Sequence, residues 1–176
     1  TSPYRSRAAC RQRLSAVENA APFFFPPAPL AGFNRQGTSM FADCYKGKRI
    51  FLTGHTGFKG SWLSAWLTSL GATVCGYADT VPTTPAHFMA MGLGGHVRDL
   101  RGDIRDRDAV VRAMREFRPD AVFHLAAQAL VRRSYDMPAA TFEANVMGTL
   151  NVLEAMRACP SVQAGVFITS DKCYRN

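Results

Sequence analysis

The sequence predicts an α/β protein in which helices cover both faces of a doubly wound parallel sheet. From Lys48 onward, short apolar runs alternate with longer segments whose apolar residues recur at helical spacing. A glycine-rich turn joins the first apolar run to the first helical segment. Strands that alternate with helices pair in parallel through right-handed crossovers, and such sheets bind ligands beyond the carboxyl ends of their strands.

Five strands and three long helices account for this alternation. The apolar runs predict strands at residues 49–53, 73–77, 97–102, 121–125 and 162–169. Helical spacing predicts a first helix near 58–70 that ends at Gly71, a second that Asp106 caps, and a third at 139–158. We expect the following apolar residues of the first and third helices to face the core: Trp62, Trp66, Phe142, Val146, Leu150, Leu153 and Met156.

Residues 1–39 differ from the rest of the chain, and we expect them to be a disordered extension of a single domain at 40–176. Their prolines at 22, 26, 27 and 29 interrupt an apolar patch, and proline at that density prevents a regular helix or a paired strand. A basic start followed by apolar residues imitates a targeting peptide. We expect instead that residues 1–39 lie upstream of the true start of the domain, which is a simpler interpretation than a targeting peptide.

Composition and charge argue against several classes of protein. The net charge is +8, but about half of it lies in residues 1–39, and the arginines at 105 and 107 alternate with aspartates, so nucleic-acid binding is not expected. No uncharged apolar run approaches the ~18 residues of a membrane span. The five cysteines are odd in number and never at Cys-x-x-Cys spacing, which argues against disulfides or a metal site and favours a reducing cytoplasm.

The turn after the first strand has the pattern of a dinucleotide-binding loop. It has the sequence Gly54-His55-Thr56-Gly57-Phe58-Lys59-Gly60 and leads into the first helix. Gly54 permits a tight turn, Gly57 lets the backbone approach a pyrophosphate, and Gly60 lets the helix pack closely on the sheet. The helix N-terminus then presents N–H groups and a partial positive charge to the phosphates. The His55 ring either contacts phosphate or serves the fold, and the sequence leaves both open.

The carboxylate of Asp79, just beyond the second strand, bears on the choice between NAD and NADP. A carboxylate at this point hydrogen-bonds the ribose 2′-hydroxyl of NAD and repels the 2′-phosphate of NADP. Lys59 acts in the opposite direction, because its ammonium group favours a 2′-phosphate. On balance we expect the cofactor to be NAD.

The spacing Gly-x-x-Gly-x-x-Gly resembles the extended short-chain dehydrogenase/reductase family, and further motifs across residues 45–176 strengthen this resemblance. It implies a Rossmann-type sheet, truncated here after the fifth strand. Asp103 and Ile104 lie in a segment similar to the family's adenine-contacting motif. The resemblance places four residues after the fourth strand, and two others, beside the rest of the cofactor: Leu125, Ala126, Ala127, Gln128, Asn145 and Thr169. His124, at the end of the fourth strand, is expected to be a packed residue.

The end of the fifth strand, Thr169-Ser170-Asp171-Lys172, is similar to the Thr-Asp-Glu of the family's hexose 4,6-dehydratases. Ser170 stands where threonine is usual, and Lys172 stands where glutamate is usual. Together with Lys59 and Ala-Ala-Gln-x-Leu-Val-Arg, this resembles the branch that dehydrates CDP-glucose to CDP-4-keto-6-deoxyglucose. The resemblance implies three catalytic roles: Asp171 as acid at the C6 hydroxyl, Lys172 as base at C5, and Ser170 as donor to the C4 oxygen.

The resemblance also implies parts that this sequence lacks. No tyrosine is followed four residues later by lysine, so the family's Tyr-x-x-x-Lys is missing and we expect the chain alone to be inactive. Family members pair through helices on one flank of the sheet, which implies a homodimer. The resemblance also implies a role in the synthesis of cell-surface polysaccharide, and the expected location is the cytoplasm. Two alternatives remain open: another epimerase or dehydratase of the family, and a dinucleotide sensor without catalysis.

Overall fold

The computed structural model describes residues 40–170, and these residues form a five-stranded, fully parallel sheet. The strand order is β3-β2-β1-β4-β5, so the first strand lies at the centre and the chain crosses it once to reach β4. Helices pack on both faces of the sheet. The predicted α/β fold class, a Rossmann-type doubly wound sheet, is therefore confirmed.

The elements follow the predicted alternation closely. The strands are β1 Arg49–Thr53, β2 Thr73–Ala78, β3 Arg98–Arg101, β4 Ala121–His124 and β5 Ala164–Phe167. The helices are α1 Phe58–Ser69, α2 His87–Ala90, α3 Arg107–Phe117, α4 Val131–Asp136, α5 Pro138–Phe142 and α6 Gly148–Arg157. A wide turn of π geometry at Glu143–Met147 joins α5 to α6, and short 3₁₀ turns occur at Met40–Asp43 and Leu93–Gly95. The predicted third helix is therefore interrupted, and β5 is shorter than predicted.

The two faces of the sheet bury separate apolar clusters. One face carries Phe51 and Val122 against the buried sides of α3 and α6, which contribute Met114 and Val152 among others. The opposite face carries the second cluster, which includes Ile50, Leu52, Leu67, Val74 and Phe88. Successive residues of a strand point to opposite faces, so β1 supplies both clusters from neighbouring positions.

Predicted helix ends are confirmed where a specific residue determines them. The Asp106 side chain accepts a hydrogen bond from the Ala109 N–H at 3.0 Å, as expected for an N-cap. At the other end of α1, Gly71 adopts φ +82°, a left-handed conformation that suits glycine and ends the helix. These two residues therefore fix the boundaries that the apolar periodicity alone leaves approximate.

The prediction that Trp62 and Trp66 lie in the core is wrong. They are 54% and 41% exposed, whereas the face of α1 that meets the sheet consists of Gly60, Ser61, Ser64 and Leu67. The small residues allow the helix to approach the sheet closely, so the large aromatic side chains occupy the outer face. The two serines satisfy their hydroxyl groups within the helix itself, by donating to backbone carbonyls of the preceding turn.

The predicted inward face of the third helix is also largely wrong. Phe142, Val146, Leu150 and Leu153 are all exposed, and of the predicted set Met156 alone packs partly against the core. The buried side is formed by Gly148, Asn151, Val152 and Ala155. A Cβ at Gly148 would come within 2.5 Å of the Ile104 side chain, so a larger residue there would require Ile104 to shift. Close packing again selects the small residues of an apolar helix.

The expectation of disorder at residues 1–39 falls outside the described residues. Within residues 40–170, no helix combines the length and the apolar character that crossing a membrane requires.

Candidate functional site

The loop between β1 and α1 depends on two of its glycines for packing. Gly54 has φ +74°, and a Cβ on it would lie 2.8 Å from the Ala126 nitrogen in the loop after β4. A Cβ on Gly60 would lie 2.1 Å from the Gly54 carbonyl oxygen. Both contacts involve backbone atoms that cannot move aside easily. The fold itself therefore requires glycine at these two positions.

Gly57 differs, because the surrounding protein constrains it much less than it constrains Gly54 and Gly60. Its φ is −71°, and a Cβ there would meet one atom, the Gly54 carbonyl oxygen at 3.3 Å. Gly57 is also the N-cap of α1 and supplies no side chain to the first N–H groups of the helix. A side chain at this position would instead occupy the space in front of those N–H groups. This space, at the positive end of a helix dipole, fits a phosphate.

The His55 side chain serves the fold and does not reach this space. It is fully buried, and its Nε2 donates to the Asp99 carboxylate on β3 at 2.9 Å. The ring packs over Gly76, where a Cβ would come within 2.2 Å of it, and it meets the Phe88 ring edge-on. Of the two alternatives that the sequence leaves open, these contacts fit the one in which the His55 ring serves the fold.

The glycine loop is joined to the segment that follows β2. Thr56 is buried, and its hydroxyl donates to the Thr80 carbonyl at 2.6 Å. Thr80 directly follows Asp79, which is exposed at the carboxyl end of β2. The structure therefore brings the predicted phosphate loop and the predicted ribose-contacting carboxylate into one connected unit.

Asp103 and Ile104 lie beyond β3, on the same edge of the sheet. Arg105 donates to both Asp103 carboxylate oxygens through its side chain, with Nη2 at 2.5 Å from Oδ2, and its backbone N–H donates to Oδ1 at 2.8 Å. These hydrogen bonds lower the pKa of Asp103 below its ordinary value and keep the group ionised. Ile104 is buried against Gly148. Asp103 is thus the member of this pair whose polar atoms are available to a ligand.

A hydrogen-bonded row of side chains fixes the end of β4. The Thr53 hydroxyl accepts from the N–H groups of Leu125 and Ala126 at 3.2 Å, so its own proton goes to His124 Nδ1 at 2.7 Å. Nε2 of His124 then donates to the Thr149 hydroxyl at 3.0 Å. Burial lowers the pKa of His124 to about 4. The predicted packed role of His124 is confirmed, and the ring is neutral near pH 7.

The loop after β4 is completed by Gln128 and Asn145. The Asn145 side chain accepts from the Gln128 N–H at 2.7 Å and donates to the Gln128 carbonyl at 3.0 Å. Its amide is thus engaged with the protein backbone and shapes the loop. Ala127, which precedes Gln128, is exposed. Thr169 and Ser170 lie exposed beyond β5 on the same edge, and Asp171 and Lys172 lie outside the described residues.

The loops after β1, β2, β3 and β4 therefore converge at the carboxyl edge of the sheet, where an elongated cofactor would contact all four. A model of the family described as GDP-mannose 4,6 dehydratase matches residues 51–174. The chain belongs to this family. The match begins inside β1 and includes every loop described above as well as the residues that follow β5.

Two relatives illustrate how far the likeness to this family extends. The chain is 52% identical over 132 residues to CDP-glucose 4,6-dehydratase of Salmonella typhimurium, an alignment that covers 75% of this chain and 37% of the relative. It is 33% identical over 129 residues to CDP-paratose 2-epimerase of Salmonella typhi, covering 72% of this chain and 38% of that protein. The chain thus spans well under half the length of these two relatives.

Solved structures place the same fold among sugar-nucleotide enzymes. UDP-glucose 4-epimerase from Brucella ovis, in complex with NAD, has a TM-score of 0.63 and 31% identity, covering 74% of this chain and 38% of its own. The epimerase Mth375 from Methanothermobacter thermautotrophicus has a TM-score of 0.66 and 30% identity, covering 76% and 38%. The chain therefore resembles part of enzymes that are about twice its length.

Some residues that support the site give no motif in the sequence. Thr53 and Thr80 have polar side-chain or backbone contacts that only the register of β1, β2 and β4 reveals. His87 is half-buried: its Nδ1 is hydrogen-bonded to the Ser61 hydroxyl at 2.6 Å, and its ring stacks on Trp62. Partners that lie on different elements cannot be inferred from spacing along the chain.

Two cavities accompany these elements in the described part of the chain. One of about 350 Å³ lies beside the glycine loop, lined by Thr56, Phe58, Thr83, Pro85, Ala86, His87 and Ala90. The other, of about 450 Å³, lies at the amino end of β4 between the ends of α3 and α6 and is lined by residues that include Arg115, Arg118 and Ser161. Of these two cavities, the one beside the glycine loop lies at the carboxyl edge of the sheet, and the larger one is remote from it.

Proposed function

We propose that this chain is the NAD-binding part of an enzyme that dehydrates CDP-glucose to CDP-4-keto-6-deoxyglucose. The observation that carries the proposal is the position of Gly57 at the start of α1, where a Cβ would meet a single atom, in a chain 52% identical over 132 residues to a CDP-glucose 4,6-dehydratase. When bound, NAD would supply reversible oxidation at C4 of the sugar. The protein's own tasks are then to hold the cofactor, exclude water and move protons.

The described residues can hold NAD at several points. The N–H groups at the start of α1 would bind the pyrophosphate, while Asp79 would accept from the ribose hydroxyls and Asp103 from the adenine amino group. The Leu125–Gln128 loop, which Thr53 and Asn145 hold in place, would border the nicotinamide half. The Brucella ovis structural neighbour contains NAD, which supports this cofactor over NADP.

For the chemistry we propose the cluster at the end of β5. Asp171 would donate a proton to the departing C6 hydroxyl, Lys172 would remove the proton from C5, and Ser170 would donate a hydrogen bond to the C4 oxygen. A lysine base requires a lowered pKa, which burial under the substrate would provide. Thr169 lies at the start of this cluster, next to the end of β4, where Ile168 donates its N–H to the His124 carbonyl.

We also propose that the complete protein is a homodimer and works in the cytoplasm, in the synthesis of cell-surface polysaccharide. The exposed apolar face of the α5–α6 region supports pairing, since Phe142, Val146, Leu150 and Leu153 together form a patch that a second copy would cover. The alternative function is epimerisation of a sugar nucleotide. The Mth375 and Brucella ovis neighbours support it, because both are epimerases of the same fold.

A chimera tests whether these residues support dehydration. The 132 residues that match the Salmonella typhimurium enzyme would replace their counterparts in that enzyme, which supplies the remaining length. We expect the chimera to convert CDP-glucose to the 4-keto-6-deoxy product. A folded chimera that binds NAD yet releases no such product would contradict the proposal.

In the same chimera, Asp171→Asn and Lys172→Met test the proposed proton transfers. Each should lower product formation by ~10²–10⁴, the range for loss of a general acid or base, while affinity for NAD stays unchanged. Loss of NAD affinity and of product formation together would show that the pair merely supports the strand end.

The cofactor assignment has its own test in Gly57→Val. A valine side chain would fill the space in front of the α1 N-terminus, so affinity for NAD should fall by at least about tenfold, or ~1.4 kcal/mol. Gly95→Val is the matched control, because a Cβ there meets no atom within 4 Å and its φ is not left-handed. Equal NAD affinity of the two variants would reject this loop as the pyrophosphate site.

A further inference from the structure

Thr56 is a buried side chain of the glycine loop whose hydroxyl proton is already used within the protein. The residue is 4% exposed, and Oγ1 donates to the Thr80 carbonyl at 2.6 Å. A threonine hydroxyl has a single proton, so this side chain has none left to donate to a phosphate. Its contact with the segment after β2 therefore requires an explanation other than pyrophosphate binding.

The Thr80 peptide is also what holds the side chain of Asp79. The Thr80 N–H donates to Asp79 Oδ1 at 2.7 Å, and the Thr80 hydroxyl lies 3.3 Å from the same oxygen. Among residues 40–170, nothing donates to the other oxygen, Oδ2. One carboxylate oxygen is thus fixed by the protein, while the second is directed to no protein group and remains available.

We infer that Thr56 is a positioning residue for cofactor choice: its hydroxyl fixes the Asp79–Thr80 turn so that Asp79 accepts from the ribose hydroxyls of NAD and opposes NADP. This inference rests on the proposed function, because it assumes that a nicotinamide dinucleotide binds at the glycine loop. It concerns a different property of that site, namely which of two cofactors is preferred.

A mobile carboxylate at Asp79 would discriminate less well between the two cofactors than a fixed one. A fixed carboxylate makes charge-assisted hydrogen bonds to ribose hydroxyls and repels a 2′-phosphate at short range. If the turn loosens, the Asp79 carboxylate makes weaker hydrogen bonds to the ribose hydroxyls. It can also move away from a 2′-phosphate and so repels that group less. Affinity for NAD therefore falls while affinity for NADP does not, and the ratio of the two changes.

The test is a titration of the full 176-residue chain with NAD and with NADP at one salt concentration. Thr56→Val removes the hydroxyl at nearly constant volume and should reduce the NAD-over-NADP preference about tenfold. Thr56→Ser keeps the hydroxyl and should retain the preference. Thr68→Val is the matched control, because the Thr68 hydroxyl donates to the Ser64 carbonyl within α1, away from the loop.

A second arm shows whether Thr56 acts through Asp79. In an Asp79→Asn background, Thr56→Val should leave the NAD-over-NADP ratio unchanged, since the group that it positions no longer carries charge. Equal loss of both cofactors in Thr56→Val, loss of the preference in Thr56→Ser, or an unaltered effect in the Asp79→Asn background would each overturn the inference. Failure of the unmodified chain to bind either cofactor would instead overturn the proposed function.

Discussion

The histidines at the ends of β1 and β4 are both buried, but the protein accommodates their nitrogens in different ways. Both nitrogens of His124 are hydrogen-bonded, to the hydroxyls of Thr53 and Thr149. His55 has one partner, Asp99, and its buried Nδ1 makes no hydrogen bond of normal geometry to residues 40–170. Burial lowers the pKa of His55 and outweighs the opposing influence of Asp99 and the Tyr77 carbonyl.

The loop after β4 is therefore held by hydrogen bonds, and the loop after β1 is held mainly by shape. Hydroxyl groups on both sides give His124 a single neutral tautomer and tie β1, β4 and α6 together. His55 instead fills a space bounded by Gly76 and Phe88, with one carboxylate at its edge. Substitutions that change side-chain volume should therefore affect the loop after β1 most, and changes of protonation should affect the loop after β4 most.

The largest effect is expected for Gly76→Ala. The added methyl group would lie 2.2 Å from the His55 ring, which is enclosed and cannot move aside. We expect the free energy of unfolding to fall by about 3 kcal/mol in urea denaturation, the upper part of the range for overpacking. Gly95→Ala, in open space, is the control and should change stability by less than about 0.5 kcal/mol. Similar stability of the two variants would show that the space around the His55 ring is not tightly filled.

The second largest effect is the loss of folding stability at acid pH that the lowered pKa of His124 causes. Its pKa is about 4 in the folded chain against an ordinary 6.5, so the unfolded chain binds the proton more readily between these values. The stabilisation is complete above pH 6.5 and is lost as pH falls towards 4, by about 2 kcal/mol at pH 5. His124→Gln lacks the titrating ring, so its unfolding free energy should fall by about 2 kcal/mol less than that of the unmodified chain between pH 7 and pH 5. Identical pH dependence would contradict the neutral state of His124.

The smallest effect should come from Asp99→Asn, a substitution whose cost in stability depends on the charge of His55. If His55 is neutral, the asparagine carbonyl still accepts from Nε2, and the cost should be about 1 kcal/mol. A charged, buried His55 would instead lose about 3–5 kcal/mol on losing its counter-ion. Asp108→Asn, a highly exposed aspartate, controls for the change of net charge in the same denaturation experiment.

The order and type of the elements could be predicted from the sequence, but the orientation of two helices could not. Apolar periodicity places Trp62 and Trp66 on one face of α1 without saying whether that face meets the sheet. The opposite face of α1, which carries Gly60 and Ser64, packs against the sheet, because small side chains permit a closer approach. Where a helix has a large apolar face and a small-residue face, hydrophobicity alone misassigns the buried one.

The candidate site could be predicted as far as its motifs extend along the chain. The glycine loop, Asp79 and Asp103 lie together at one edge of the sheet, as their positions at strand ends require. The sequence does not distinguish Gly57, which the surrounding atoms constrain little, from Gly54 and Gly60, which the packing requires to be glycine. Nor does it give the Thr56–Thr80 contact, because that hydrogen bond depends on how two loops pack.

The central position of β1 also has a consequence for the order in which the domain is assembled during synthesis. Strands β2 and β3 follow β1 within a short stretch of chain, so this half of the sheet can pair while later residues are still on the ribosome. The other edge of β1 must wait for β4, since Thr53 and His124 are 71 positions apart. Until then that edge offers unpaired backbone groups to any neighbouring nascent chain. Slow translation between residues 78 and 121 would prolong this exposure.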